Sequence, residues 1–183
     1  MGAIDIGLEA IDRSAVFNIA QYTVVGKDNP ANDTGTITDV DIWLSVGATN
    51  DVWFGTFSEG AANVLTCRDS ESVGNVAAGS KQSFSGLDID VVTGDYLGTY
   101  AKTSSAGIER AASGFADVWT YLGEKIDPAD SATFAVNADD GVSLFGTGSS
   151  VWAGGDVGGV AIAGIAKING VALADITKVN GVA

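Results

Sequence analysis

Hydrophobic and polar residues alternate along most of residues 1–148, which is the pattern of half-buried β-strands. The stretch TITDVDIWLSV shows it most clearly, because large apolar residues recur at every second position. One face of this strand would carry Val40, Ile42, Leu44 and Val46, and the other Asp39, Asp41, Trp43 and Ser45. Clusters of Gly, Asn, Asp and Ser separate such stretches. The pattern therefore predicts short strands joined by tight turns.

About ten strands of this kind, with no long amphipathic helix, predict two packed antiparallel sheets. We expect an all-β fold over residues 1–148, a β-sandwich of jelly-roll type. The composition agrees, since 46% of the residues are hydrophobic and only 17% are charged, which argues against disorder. The predicted core consists of Val40, Ile42, Leu44, Leu97, Val118, Leu122 and Leu144.

The last part of the chain repeats itself with a period of 11 residues. In VGGVAIAGIAKINGVALADITKVNGVA, the residues Val157, Ile168 and Val179 occupy equivalent positions, and a glycine follows each of them two residues later. The Gly- and Ser-rich residues 149–156 precede this segment and predict a linker. The repeat segment itself covers residues 157–183.

Three structures compete for the repeated unit. A right-handed coiled coil suits a spacing of 11 residues but is disfavoured by glycines inside the unit. A short helix closed by Asn-Gly and a hairpin of strand, Asn-Gly turn and strand fit the sequence equally well. Under either, one unit cannot form a core of its own, so its branched side chains need a surface that covers them.

We therefore expect residues 157–183 to be an interaction arm. It would pack on its own sandwich, on another copy of the chain, or on a different protein. Its predicted contact residues are Val160, Ile162, Ile165, Ile168, Val171, Leu173, Ile176, Val179 and Val182.

The charge of the chain excludes some partners. There are 9 Lys and Arg against 23 Asp and Glu, a formal net charge of -14 at pH 7, with no cluster of cations in the sequence. Nucleic acid and anionic membrane surfaces would be repelled. The apolar segment from Val151 to Leu173 contains Asp156, Lys167 and many glycines, so we do not expect a transmembrane helix.

The N-terminal stretch MGAIDIGLEAIDRS has no basic region followed by an apolar one, which a secretory signal requires. We expect a protein made in the cytoplasm without a signal peptide. Such a chain could remain in the cytoplasm or leave the cell by lysis as part of a virus particle.

Few residues offer catalytic chemistry. The chain has no histidine, which excludes Ser-His-Asp and Cys-His arrangements and histidine metal sites. The single cysteine, Cys67, lies in the strand-like stretch VLTCRD and is predicted to be a buried packing thiol. Pairs of carboxylates such as Asp88 with Asp90 lie in or beside turns, where nothing predicts the raised pKa of a general acid. We expect a protein that is not an enzyme and has no cofactor.

Two interpretations of the loop KDNPANDTG stay open. Its side chains Asp28, Asn29, Asn32 and Asp33 are oxygen ligands of the kind that calcium prefers, although their spacing is not that of an EF-hand. The same residue types also form Asx turns without any metal. A structural calcium ion is thus a minor hypothesis.

Aromatic residues on polar strand faces suggest a second kind of site. Trp43 alternates with Ile42 and Leu44, and Trp119 and Tyr121 alternate with Val118 and Leu122. Side chains on an outer sheet face could stack on sugar rings. The alternative is that both faces of the sheet are covered.

The segments NPANDTGTITDVDIWL, TCRDSESVGNVAAGSKQSFSGLDIDVVTGDYLGTY and GIERAASGFADVW resemble a jelly-roll, lectin-like domain of phage virion proteins and other environmental surface proteins. The ending IAKINGVALADITKVNGVA is similar to tails of such proteins. The resemblance implies a structural or adhesive role and no catalytic residues. It implies a capsid decoration protein, a tail or fibre component, or a filament subunit, with itself or other virion proteins as partners. The alternative is a lectin-like module that binds surface glycans.

Overall fold

The computed structural model describes residues 2–150 and the residue pairs 167–168 and 171–172. The chain forms two compact units, Met1–Val151 and Trp152–Ala183. The first unit contains a 3-10 turn at Ala61–Asn63 and fourteen strands. These are β1 Ala3–Leu8, β2 Ala15–Asn18, β3 Tyr22–Gly26, β4 Gly35–Val46, β5 Ala48–Glu59, β6 Val64–Val76, β7 Lys81–Val91, β8 Tyr96–Ala101, β9 Gly107–Ala111, β10 Val118–Leu122, β11 Ser131–Thr133, β12 Ala135–Asn137, β13 Gly141–Val142 and β14 Leu144–Ser150.

The strands form two seven-stranded antiparallel sheets. The first sheet has the order β1-β14-β4-β9-β13, with β2 paired to β9 and β7 paired to β4. The second has the order β11-β6-β5-β8-β3-β10-β12. Because alternate residues of both sheets share one buried cluster, the all-β sandwich expected from the alternation is confirmed. The jelly-roll connectivity stays a prediction.

The main core lies between the sheets and contains six of the seven predicted residues. Those six are Val40, Ile42, Leu44, Leu97, Val118 and Leu144. The seventh, Leu122, is 66% exposed, so this part of the prediction is wrong. Leu122 is the last residue of β10 and pairs with Tyr22, the first residue of β3. It therefore lies at the end of the sheet, where the alternation continues but the opposite sheet no longer covers it.

Val46 also departs from the predicted pattern, because it is 44% exposed while Leu44 is fully buried. The register between β4 and β9 shifts between these two residues. Such a bulge changes the face on which the following side chain lies. Residues with the same spacing in the sequence therefore end up in different environments.

A second core covers the other face of the second sheet. It contains Trp119 together with Phe57 and Leu65 from neighbouring strands. Ile126 and Phe134, from the segment between β10 and β12, are buried against them. This sheet is consequently apolar on both faces, a distribution that strict alternation does not predict.

Cys67 lies in this second core and is the buried packing thiol that the sequence predicts. Its Sγ donates a hydrogen bond to the carbonyl oxygen of Ile126 over 3.0 Å. Burial raises the pKa of the Cys67 thiol to about 12, and the nearby carboxylates of Asp69 and Asp130 act in the same direction. The thiol stays protonated at neutral pH and is therefore a poor nucleophile.

Side chains satisfy the backbone along two outer strands of the first sheet. On β7, the N–H groups of Asp88 and Asp90 donate to the carboxylates of Glu71 and Asp69, each over 2.9 Å. Both carboxylates come from β6 of the second sheet. The two sheets are thus joined along this side, and two N–H groups of β7 are satisfied there.

Side-chain hydrogen bonds protect the backbone of β1 in the same way. The N–H of Asp5 donates to Asn32 Oδ1 over 3.1 Å, and Asn32 Nδ2 donates to the carbonyl of Ala3. Asn29 Nδ2 donates to the carbonyl of Gly7, whose own N–H donates to the carbonyl of Asn29. The loop after β3 therefore acts in place of a neighbouring strand.

The second unit contains two short strands, β15 Lys167–Ile168 and β16 Val171–Ala172, which pair antiparallel. This pairing is the one that the hairpin interpretation of the repeat predicts for its middle copy. Apart from these four residues, the predicted arm lies outside the described residues. The same holds for the apolar segment from Val151 to Leu173, which was considered above as a transmembrane helix. Ser149 and Ser150, assigned to the linker by sequence, instead pair with Thr36 and Gly35 in the first sheet.

Within the part of the chain that the structure describes, no helix has the length and apolar character needed to cross a membrane.

Candidate functional site

A groove of about 330 Å³ lies on the outer face of the first sheet. Its walls come from three adjacent strands, since β4 pairs with β14 on one side and with β7 on the other. The lining residues are Asp39, Asp41, Ser83, Phe84, Ser85, Phe145 and Thr147.

The pairing register brings these residues together. Phe145 on β14 and Ser83 on β7 both lie opposite Asp41, and Thr147 and Ser85 both lie opposite Asp39. Directly opposed side chains on one face of a sheet are about 5 Å apart at Cβ. Two rows of three side chains therefore face the solvent side by side.

A bulge at Thr38 shapes one end of the groove. On β14, the consecutive residues Thr147 and Gly148 pair with Asp39 and Ile37, so Thr38 has no partner there. The pairing with β7 is also irregular between Ile37 and Asp39. Bulges re-aim the side chains that follow them and are common beside binding sites. Here the bulge leaves the Thr38 hydroxyl next to the Asp39 carboxylate.

Each of the two carboxylates has one oxygen held by a neighbour. The Thr38 hydroxyl donates to Asp39 Oδ2 over 2.7 Å. Lys81 Nζ forms an ion pair with Asp41 Oδ2 over 3.0 Å. Among the described residues, no hydrogen bond involves Oδ1 of either Asp39 or Asp41. The groove thus presents two oriented carboxylates, each with an acceptor oxygen open to a ligand.

Aromatic surface adjoins these acceptors. Phe145 is half-buried, and its neighbour on β1 is Gly7, which has no side chain to cover it. Gly7 has a φ of 83°, and a Cβ there would lie 2.4 Å from the Leu144 carbonyl oxygen, so the backbone geometry demands glycine. Trp43 is half-buried on the same face, two residues beyond Asp41 and opposite Lys81. Acceptors beside aromatic rings suit a ligand that has both hydroxyl groups and an apolar face.

The structure does not bring the three predicted aromatic residues together. Trp43 lies beside the groove, whereas Trp119 belongs to the second sheet and is fully buried. Its Nε1 donates to Asn63 Oδ1 over 3.0 Å, and the Tyr96 ring packs edge-on against it. The predicted role of Trp119 in ligand binding is therefore wrong, because the segment that carries Ile126 and Phe134 covers this face of the sheet.

Tyr121 also lies on the covered face. It is half-buried, its ring centroid is 5.6 Å from that of Phe134, and Lys125 Nζ is 5.9 Å from its ring. Neither Trp119 nor Tyr121 shares a surface with Trp43.

The loop considered for calcium directs its side chains to separate partners. Asn29 and Asn32 satisfy the edge of β1, and Asp33 Oδ1 accepts from the Thr34 N–H over 2.8 Å. Asp28 Oδ1 accepts from the Ala116 N–H over 3.0 Å. Burial raises the pKa of the Asp28 carboxyl, although that hydrogen bond and the charge of Arg13 oppose the shift. Turn and edge hydrogen bonds engage Asn29, Asn32 and Asp33, whereas Asp28 Oδ2 is buried without a hydrogen-bond partner among the described residues.

Metal ligands are not clustered elsewhere in the described residues either, because no group of three His, Cys, Asp or Glu side chains there is placed to hold an ion. Of the carboxylates considered for catalysis, Asp88 and Asp90 are exposed on β7. Another carboxylate, that of Asp140, is buried and pairs with Arg110 over 2.7 Å. That ion pair stabilises the end of the sheet where β13 meets β9.

Sequence reasoning missed the residues that β7 and β14 add to the groove, namely Phe145, Thr147, Ser83 and Ser85. A signal for the β4 side was present, since Asp39, Asp41 and Trp43 alternate with core residues. The contribution of the other two strands depends on register, which the sequence does not reveal.

Comparisons of the chain with known protein families, with curated proteins and with solved structures found no match.

Proposed function

We propose that the protein is a non-enzymatic structural component of a virus particle or a similar assembly, and that residues 157–183 attach it. The observation that carries this proposal is the protection of β1 and β7 by side chains from Asn29, Asn32, Asp69 and Glu71. An open strand edge is a template for association with another chain, and these side chains occupy part of both edges. We assign attachment to the apolar repeat segment.

Charge supports the same division of roles. At a net charge of -14, copies of the body repel one another, which keeps them apart until a specific contact forms. The arm contributes nine branched side chains, each worth about 1.5–3 kcal/mol on full burial before ordering costs. Partners of the arm would be other copies of the chain or other proteins of the particle, in a virion or an extracellular assembly.

Removing the arm tests this proposal. A chain lacking residues 157–183 should keep the circular dichroism of the sandwich but lose assembly, measured as particle mass in solution at micromolar concentration. Ile168→Asp with Ile176→Asp in the full chain should weaken assembly strongly, because charged groups cannot be buried without a partner. A truncated chain that assembles as well as the full chain would overturn the proposal.

A second candidate function is carbohydrate binding, and the groove is the observation that favours it. The ring of Phe145 lines the groove together with the carboxylates of Asp39 and Asp41, and Trp43 follows on the same face of β4 two residues after Asp41. Such a lectin-like role is compatible with the first proposal, because the groove and the arm are different parts of the chain.

A glycan array tests the second candidate. The full chain should bind at least one class of saccharide, and Asp39→Ala should reduce that binding at least about tenfold, as expected when a charged hydrogen-bond partner is lost. Asp12→Ala is the matched control, because Asp12 is an exposed carboxylate outside the groove. Binding that both variants reduce equally, or no binding by the full chain, would refute the carbohydrate function.

A further inference from the structure

The polar groups of the groove differ in the hydrogen bonds that they can form with a ligand. An ionised carboxylate accepts hydrogen bonds and donates none. The open Oδ1 atoms of Asp39 and Asp41 therefore require donors on the ligand, such as hydroxyl groups. The hydroxyls of Ser83, Ser85 and Thr147 can donate or accept. A ligand rich in hydroxyl groups satisfies both kinds of partner.

The spacing of these groups fits a ring that lies across the strands. Asp39 and Asp41 are two residues apart on β4, so their Cα atoms are separated by about 6.5 Å. Phe145 lies directly opposite Asp41. A sugar ring whose apolar face rests on Phe145 therefore directs its edge hydroxyls toward the two carboxylates.

Charge decides which sugars this arrangement accepts. The one cation paired with a groove carboxylate among the described residues is Lys81, and its Nζ is already bound to Asp41. A carboxylate on the ligand would meet two like charges at close range and no unpaired cation. The strongly negative net charge of the protein adds to the repulsion at longer range.

We infer that the groove selects uncharged saccharides and rejects acidic ones, with Asp39 and Asp41 as the selecting residues. The inference rests on the proposed carbohydrate function. Thr38 and Lys81 act as positioning residues, because they hold one oxygen of each carboxylate and leave the other open.

Matched pairs of oligosaccharides provide the test. The two members of a pair are identical except that a primary hydroxyl of one is a carboxylate in the other, and both are titrated against the full chain at low and at physiological salt. We expect the neutral member to bind at least about tenfold more tightly, with a smaller ratio as salt screens the repulsion. The double variant Asp39→Asn with Asp41→Asn should bring the ratio close to one, because it removes the charge and keeps the size.

One control variant and one further groove variant locate the effect. Asp12→Asn with Asp88→Asn makes the same change of net charge outside the groove, and it should leave the ratio nearly unchanged. Lys81→Gln should weaken neutral binding without favouring the acidic member, because it frees Asp41 from its ion pair.

The outcomes separate this inference from the proposal beneath it. If the full chain binds neither member of any pair, the carbohydrate function and the inference both fail. If it binds both members equally, or prefers the acidic one, the carbohydrate function stands and the selection is wrong. Equal loss of selection in the Asp39/Asp41 variant and in the Asp12/Asp88 variant would also overturn it, because net charge rather than Asp39 and Asp41 would then decide.

Discussion

Replacing Trp119 by alanine is expected to lower the free energy of unfolding by about 3–5 kcal/mol, the cost of truncating a large buried aromatic side chain. Trp119 is fully buried in the core on the outer face of the second sheet. The variant would also leave Asn63 Oδ1 without the indole N–H that donates to it. The measurement is denaturant unfolding of the full chain.

Two further variants make this test specific. Trp119→Phe keeps most of the apolar volume and should lower the free energy of unfolding less than Trp119→Ala. Trp43→Ala removes the same kind of side chain from a half-exposed site and should lower it clearly less than Trp119→Ala. Equal costs for Trp43→Ala and Trp119→Ala would show that the second core contributes little. Saccharide binding should follow the opposite order, since Trp43 lies beside the groove.

Leu44→Ala should cost about 2–5 kcal/mol, because Leu44 is fully buried in the main core and its loss leaves a cavity. Val46→Ala, two residues further along the same strand, should cost less than about 1 kcal/mol because Val46 is largely exposed. Both are measured as changes in the free energy of unfolding. A cost for Leu44→Ala below about 1 kcal/mol, or a larger cost for Val46→Ala, would mean that the bulge between them is misplaced.

If both proposed functions hold, the two parts of the chain have separate tasks. The arm fixes the protein to its assembly, and the groove on the body meets ligands from solution. Variants in the groove should then leave particle mass unchanged, and deletion of the arm should leave saccharide affinity per body unchanged.

The sequence determined the class of fold and much of the main core. Along β4, the alternation identified Val40, Ile42 and Leu44 as buried and placed Asp39, Asp41 and Trp43 outside. This works because successive side chains of a strand point to opposite faces, so a period of two marks a face that is buried. The turn-forming Asn and Asp residues were also recognised as a group, although not as the partners of β1.

The tertiary structure decided what covers each face and what lies beside each strand. Alternation separates two faces but does not reveal that Ile126 and Phe134 cover the outer face around Trp119. It also continues past the end of the sheet, where Leu122 is exposed, and through a bulge, after which Val46 is exposed.

The groove shows the same limit. Its β4 side can be read from the sequence, but Phe145 and Ser83 become neighbours of Asp41 only through the register of β14 and β7. A local pattern fixes the direction of a side chain relative to its own strand. Its neighbours depend on which distant strands pair with it and on where their registers shift, and that is decided by packing of the whole sandwich.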